Sequence, residues 1–324
     1  MRLARDHAPL TEPPRPEGSP NGRRGRRVGV SRVGAPVIGL SPWFARRAAR
    51  LWRVAARAAA RRFRPRWRLG LLAAETGLFE TFAPPERLSL PPRGRLSVVA
   101  PHPDDESIGC GGLLALWAAD PARSAEVVFL TMGEQGDRAL RDGGLDPAAQ
   151  AARRAAVGAA RTAEATEALA VLGAEAVWFD GADAALWRDE ARLATALGAH
   201  WRKRPPDLIA APFPADRHAD HAVAARIAAA AGLAALPSAT PVLGYEVWSP
   251  CLANALLDIA PVAGRKAAAI SAYRSQTATT DYVAGAAALN RFRAVSGGLG
   301  DGAAEAFHRC ALSRHAEIAA ALKV

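Results

Sequence analysis

The sequence predicts an α/β fold, a Rossmann-like parallel sheet with helices on both faces, with a basic N-terminal extension and a helical C-terminal part. From Arg95 onward, short β-rich runs alternate with alanine-rich helical segments, which is typical of a parallel sheet covered by helices. Residues 1–95 carry 21 Arg against 6 Asp and Glu, a net charge of +15, whereas the remaining 229 residues carry −4. After residue 260 the pattern is mainly helical.

Residues 1–90 are the predicted extension. Residues 1–40 are rich in Pro, Gly and Arg without a sustained apolar period, which is typical of disorder. From about residue 42 to residue 64, apolar side chains share one helical face and arginines gather on the other, as in helices that bind anionic membranes or acidic partners. The alternative is a helix packed on the domain with its arginines in solvent. A twin-arginine export signal is excluded because Arg32 and Pro36 interrupt its apolar stretch.

Composition excludes other classes of protein. No run reaches the roughly 18 apolar residues of a membrane span. The three cysteines, Cys110, Cys251 and Cys310, are far apart, so neither a disulfide framework nor a cysteine metal site is predicted. We expect a cytoplasmic protein, with peripheral association at the inner face of the membrane through residues 42–64 as an option. No specific nucleic-acid partner is expected, because the basic charge belongs to the extension alone.

Residues 91–324 are predicted to form one domain. In sheets of this kind, ligands bind beyond the carboxyl ends of the strands, so residues that follow strands are the candidates for a site. The predicted strands are 96–100, 126–131, 176–179, 208–211 and 242–247, and the predicted helices lie near 108–118, 149–172, 189–202 and 219–232.

Two histidine clusters follow predicted strands. The segment 102–106 (HPDDE) follows the first strand, and 218–221 (HADH) comes shortly after the fourth. Two imidazoles and a carboxylate form a catalytic zinc site that leaves one position open for water. The two clusters therefore predict a metal-dependent hydrolase.

The residue types suggest a role for each member. His102, Asp105 and His221 are the predicted ligands of Zn²⁺, with Fe²⁺ or Mn²⁺ as alternatives. Asp104 is left as a nearby carboxylate that can take a proton from the metal-bound water. His218, three residues before His221, is predicted to stabilise the oxyanion or to protonate the leaving nitrogen.

Two further acidic residues are predicted to support the ligands. Asp220 can orient an imidazole from behind, and Glu106 lies at the start of the predicted helix. Singly, a histidine or aspartate before a helix is more often a cap or a satisfied polar residue. Two clusters at matching positions of the fold favour the metal site.

These residues, with further motifs, resemble the LmbE-like, or PIG-L, family of zinc-dependent N-acetylglucosaminyl deacetylases. Ala219 stands where that family often has proline, which changes the stiffness of the loop and leaves the ligands intact. The similarity covers roughly residues 95–310 and includes the segments 101–106, 131–134, 161–164, 179–181, 216–221, 246–248 and 273–276.

The resemblance implies removal of an N-acetyl group from a small molecule that contains N-acetylglucosamine, with Asp104 as the base. It also implies that Arg161 holds a substrate hydroxyl or an anionic aglycone, and that Asp180 contacts sugar hydroxyls. Arg161 could instead be a surface residue. A zinc amidase acting on a thiol conjugate or an N-acyl glycopeptide is an alternative, because the pockets that would discriminate these substrates lie on loops. A non-catalytic, basic-tailed protein that binds membrane or nucleic acid is the other alternative.

Overall fold

The structure, a computed structural model, describes residues 84–141 and 144–322. The segments predicted as disordered (1–40) and as a basic amphipathic helix (42–64) lie outside these described residues. The strands are β1 (Glu86–Arg87), β2 (Gly94–Ala100), β3 (Arg123–Phe129), β4 (Glu175–Trp178), β5 (Leu208–Pro212), β6 (Pro241–Tyr245), β7 (Ala255–Asp258) and β8 (Ala304–Ala311). The helices are α1 (Asp105–Trp117), α2 (Arg138–Arg141), α3 (Pro147–Leu172), α4 (Glu190–Lys203), α5 (Ala219–Ala235), α6 (Ala263–Ala272), α7 (Arg274–Thr277), α8 (Tyr282–Ser296) and α9 (Leu312–Ala321).

The strands form one sheet in the order β1-β7-β8-β6-β5-β2-β3-β4. Neighbouring strands are parallel except where β8 runs antiparallel to β6 and β7. The chain leaves β2 towards β3 and β4 and later returns to β5 on the other side of β2. The carboxyl ends of β2 and β5 therefore meet where the strand order reverses, which is where ligands bind in open α/β sheets.

Helices cover both faces of the sheet, as predicted. Successive side chains of a strand point to opposite faces, so Val98 belongs to one buried cluster and Val99 to the other. The first cluster includes residues of α1, α3 and α6, and the second includes residues of α4, α5 and α9. Within the described residues, no helix is both long enough and apolar enough to cross a membrane.

The C-terminal part is mainly helical, as predicted, but it also contains a strand that was not predicted. Strand β8 lies inside the sheet between β6 and β7, and it escaped prediction because Glu305 and His308 interrupt its apolar run. The carboxylate of Glu305 is buried and pairs with Lys266 at 2.7 Å. A second difference is β1, which pairs with β7, so residues 86–87 of the predicted extension belong to the sheet.

Candidate metal centre

The first histidine motif lies in the turn between β2 and α1. His102 and Asp104 belong to this turn, and Asp105 is the first residue of α1. Asp104 has φ of +124°, a backbone conformation that residues other than glycine rarely adopt. The second motif lies beyond β5, where His218 is the residue before α5 and His221 lies in its first turn. The predicted placement at strand ends is therefore observed.

Asp105 joins the two motifs. Its Oδ2 atom lies 3.0 Å from Nδ1 of His102 and 3.2 Å from Nε2 of His221. Two ligand atoms that each lie about 2.0–2.1 Å from a tetrahedral ion are about 3.3–3.4 Å apart. Each imidazole thus lies at a ligand-to-ligand distance from the same oxygen of Asp105.

Unpartnered imidazole nitrogens also fit a metal. Both ring nitrogens of His221 and Nδ1 of His218 are buried without a well-aligned hydrogen bond. Carboxylate oxygens of Asp105 and Asp216 nevertheless lie 3.2 Å from Nε2 and 3.6 Å from Nδ1 of His221. Buried polar atoms normally have partners. Ligand atoms of His102, His218 and His221 also lie within 4.8 Å of one another. The donor set of imidazoles and carboxylate therefore fits a zinc-type divalent ion.

Further carboxylates stand behind the imidazoles. Nε2 of His102 lies 3.3 Å from Oδ2 of Asp220 and 3.2 Å from Oδ1 of Asp183. Asp220 also accepts the backbone N–H of Ala184 at 2.8 Å, so its orientation does not depend on the imidazole. Asp220 stands where a carboxylate can orient a metal-binding histidine. Asp183, which the sequence did not single out, occupies a similar position.

The buried carboxylates favour positive charge at this site. Burial alone would lower the pKa of His221, but the negative charge of Asp105 outweighs it and raises the pKa to about 9. Burial likewise opposes a positive charge on His102, yet hydrogen bonds to Asp105 and Asp183 hold its pKa well above the usual value. The same negative charges stabilise a bound cation.

Asp104 faces the cavity beside the three predicted ligands. Its Oδ2 atom lies 2.9 Å from a guanidinium nitrogen of Arg161, and its backbone N–H donates to Glu106 at 3.0 Å. Burial raises the pKa of Asp104 to about 7, and the positive charge of Arg161 limits the rise. A carboxylate with a pKa near neutrality suits proton transfer at neutral pH.

Glu106 supports the turn rather than the imidazoles. It is fully buried and accepts hydrogen bonds from the Asp104 N–H, from the Ser107 hydroxyl and, at 2.6 Å, from the Tyr273 hydroxyl. Tyr273 lies far away in sequence, just before α7. The sequence predicted support from Glu106 but not the tyrosine that holds it.

Arg161 of α3 reaches the same cavity, but its observed partners are protein atoms. The side chain is buried, donates to the carbonyl oxygen of Gly133 at 3.0 Å, and contacts Asp104 and the carbonyl of Pro103. Gly133 has φ of +65°, and a Cβ there would lie 2.4 Å from the guanidinium. Arg161 is therefore no surface residue, and its contact with a substrate stays a prediction.

The structure does not bring Asp180 to the site. Its side chain is 80% exposed and pairs with Arg192 at 2.5 Å. Asp183, in the same loop, turns inward and lines the cavity. Both acidic residues follow β4, and spacing alone did not show which one faces the metal ligands.

His218 lies at the edge of the cluster. Its ring centroid is 5.0 Å from that of His102 and 4.8 Å from that of His221, and its ring is stacked at 6.4 Å from Trp248. Burial, together with the positive charge on the other two histidines, lowers the pKa of His218. Near pH 7 it is a neutral imidazole.

A cavity of about 350 Å³ opens over these residues. Besides the metal-site residues, aromatic and polar side chains line it, a mixture of groups that can contact a sugar. They are Trp248, which follows β6, and Gln276, Thr279, Thr280 and Tyr282 of the α7–α8 region.

Comparison with known sequences agrees with the resemblance inferred from the two histidine motifs. The family model described as PIG-L: GlcNAc-PI de-N-acetylase matches residues 97–232, a span that contains both histidine motifs and Arg161. The 1D-myo-inositol 2-acetamido-2-deoxy-alpha-D-glucopyranoside deacetylase of Actinosynnema mirum is 41% identical over 118 residues. That match covers 36% of this chain and 38% of the relative, so the chain matches well under half of this relative's length.

This chain is similar to two solved structures over nearly the full length of each. The conserved protein TT1542 from Thermus thermophilus is 31% identical with a TM-score of 0.53, over 65% of this chain and 92% of that one. GalB, the 4-carboxy-2-hydroxymuconate hydratase from Pseudomonas putida, is 25% identical with a TM-score of 0.57, over 66% of this chain and 95% of that one. One protein of this fold is thus a hydratase, and a fold does not by itself determine the reaction, which depends on the residues of the site.

Proposed function

We propose that this chain, which belongs to the PIG-L family, is a metal-dependent deacetylase that hydrolyses the N-acetyl group of a substrate containing N-acetylglucosamine. The observation that carries the proposal is the buried cluster in which one oxygen of Asp105 lies 3.0 Å from His102 and 3.2 Å from His221. Asp104 and His218 face the same cavity. The similarity to a deacetylase of an acetamido-glucopyranoside supports the acetyl group and the sugar.

His102, Asp105 and His221 would hold the ion. Zinc suits two imidazoles and a carboxylate, and Fe²⁺ or Mn²⁺ are the alternatives. When bound, such an ion polarises an amide carbonyl and lowers the pKa of water towards neutrality.

The remaining residues supply the proton transfers. Asp104, with its pKa raised to about 7, takes a proton from the water that attacks the acetamide carbon. The C–N bond then breaks, and the proton passes to the departing nitrogen, which gives acetate and a free amine. A neutral His218 can donate a ring N–H to the carbonyl oxygen as negative charge develops there.

Acetate release tests the proposal. Purified protein is incubated with a set of N-acetylglucosaminides before and after chelation, and then with added zinc. We expect chelator-sensitive release that zinc restores. Metal-loaded protein that releases no acetate from any of these sugars would overturn the deacetylase assignment. The same assay separates a deacetylase from a hydratase, since hydration of a double bond releases no acetate.

A panel of other amides tests the alternative amidase. Cysteinyl-amide glucosaminides and N-acyl glycopeptides are offered to the same zinc-loaded protein. We expect the N-acetyl sugar to be the better substrate by kcat/KM. A higher kcat/KM for one of the other amides would leave the proposed metal chemistry in place and change the proposed substrate.

A further inference from the structure

We propose that a second cavity, beside the candidate metal centre, binds an apolar alkyl or aryl group of the substrate, so that the substrate is an amphipathic amino-sugar derivative. The inference rests on the proposed function, since it names the substrate class of that same site. The cavity has a volume of about 250 Å³ and lies between the start of α1, the segment that follows β6, and α8. We call it the apolar annex.

The apolar annex adjoins the cavity over the metal centre. Residues that line both are Ile108, Val247, Trp248, Thr280 and Tyr282. The rings of Trp248 and Tyr282 meet edge to face at 6.1 Å, and Trp248 also stacks on His218 at 6.4 Å. In the proposed arrangement, a group attached to a sugar in the first cavity enters the annex past this aromatic pair.

The polar side chains that line only the annex are already engaged within the protein. Their charges and amides have partners that a ligand would have to displace, at a cost for every group left unpaired. Glu246 pairs with Arg293 at 2.9 Å, Asp281 accepts the Ala284 N–H at 2.9 Å, Asn290 donates to the Ala304 carbonyl at 3.0 Å, and Glu305 pairs with Lys266 at 2.7 Å.

Apart from Thr280 at the junction, the surface left for a ligand is apolar. It consists of the side chains of Ile108, Val247, Ala286, Leu289 and Ala306, with the two aromatic rings at the junction. A small pocket of this kind suits an alkyl chain or a single aryl ring. Transfer of each methylene from water into it raises kcat/KM about fourfold, equivalent to about 0.8 kcal/mol.

Two substrate series test the annex and locate its occupant. In the first, the N-acetyl group is constant and the alkyl glycoside grows from methyl to heptyl. In the second, the methyl glycoside is constant and the N-acyl group grows from acetyl to heptanoyl. We expect kcat/KM to rise about fourfold per methylene, up to a limit, in one series. A rise in the first series places the aglycone in the annex, and a rise in the second places the acyl chain there.

Gly285 of α8 provides the variant that fills the annex. It lines the cavity, and a Cβ at this position meets no atom within 4 Å, so the leucine of Gly285→Leu can occupy part of the annex without a backbone clash. We expect the ratio of kcat/KM between the longest and the shortest substrate to fall towards one. Gly264→Leu, on α6 outside both cavities and equally open, is the matched control and should keep the wild-type ratio.

A second variant changes the volume in the opposite direction. Leu289→Ala enlarges the annex, and the chain length at which kcat/KM stops rising should increase. Two results would overturn the inference. In the first, kcat/KM of the wild-type protein does not change with chain length in either series. In the second, kcat/KM rises with chain length and Gly285→Leu leaves that rise unchanged.

Failure of the annex and failure of the proposed function give different results. Hydrolysis without any chain-length dependence would overturn the proposed role of the annex and leave the deacetylase assignment in place. If no N-acyl sugar is hydrolysed, calorimetric titration with methyl and hexyl glucosides tests the annex alone. Tighter binding of the hexyl compound by the wild-type protein, lost in Gly285→Leu, would support the annex, and equal binding would overturn it.

Discussion

Asp104 combines an unusual backbone with a carboxylate held by several neighbours. Its φ of +124° costs about 1–3 kcal/mol, and such a conformation persists only where the surrounding contacts impose it. Glu106 accepts its N–H, and the guanidinium of Arg161 lies 2.9 Å from its carboxylate. The position of Asp104 is thus set by Glu106 at the start of α1 and by Arg161 of α3.

Replacement of this carboxylate tests the proposed base. In Asp104→Asn the amide cannot accept a proton, so we expect kcat to fall by a factor of about 10²–10⁴. Acetate release from the preferred N-acetylglucosaminide is the measurement. Metal content, determined on the same preparation, should equal that of the wild-type protein. Wild-type turnover by the metal-loaded variant would remove Asp104 from this role.

Asp183 and Asp180 form a matched pair in one loop. Asp183 lies 3.2 Å from Nε2 of His102, whereas Asp180 is 80% exposed. Loss of a carboxylate that orients a metal ligand typically costs about 10–100-fold in metal affinity or activity. We expect this for Asp183→Asn, with zinc affinity and acetate release as the two measurements.

Asp180→Asn is the control for that substitution. It removes the same charge from the same loop and should leave both quantities at the wild-type level. Equal losses in the two variants would show that the net charge of the loop matters and not the position of Asp183.

At the scale of elements, the regular pattern of strands and helices was predictable. The prediction of a helix near residues 149–172 corresponds to Pro147–Leu172, and that of a helix near 219–232 corresponds to Ala219–Ala235. Strand β8 was not predictable in this way, because Glu305 occupies a buried position in it. That carboxylate also accepts the backbone N–H groups of Gly112 and Leu113 in α1, so it ties β8 to the helix that begins at the metal centre.

Breaking the buried pair of Lys266 and Glu305 should be strongly destabilising. Removal of one member leaves an uncompensated buried charge, which typically costs about 3–5 kcal/mol. We expect this loss in the free energy of unfolding of Lys266→Met, measured by urea denaturation. Arg291→Met, which removes an exposed pair with Asp301, should shift the midpoint little. Similar shifts in both variants would contradict a special role for the buried pair.

At the scale of the whole molecule, packing of the terminal helix makes stability depend on pH. His315 of α9 is 1% exposed, and its Nε2 atom lies 3.3 Å from the carbonyl oxygen of Ala225 in α5. Burial lowers the pKa of His315 to about 4, whereas an unfolded histidine has a pKa of about 6.5. The folded protein therefore keeps this imidazole neutral over a range in which the unfolded chain binds a proton.

This difference predicts a loss of stability in mild acid. Between about pH 6.5 and pH 4 only the unfolded state gains the proton, so the free energy of unfolding decreases as the pH falls, by up to about 3 kcal/mol from this residue. Urea denaturation at several pH values measures the slope. His315→Gln should show a shallower slope in this range, and identical slopes would exclude His315 as the source.

The sequence by itself determined the α/β fold and the types of residue at the site. Helical and strand periodicity, and the spacing within HPDDE and HADH, depend on neighbours a few residues apart, and these local relations survive in the structure. Only the tertiary structure decided that Asp183 and not Asp180 turns inward, that Arg161 contacts Asp104, that β8 enters the sheet and that an apolar annex adjoins the metal centre. Each of these depends on contacts between segments distant in sequence, and such contacts are set by packing and burial, which the order of residues along the chain does not display.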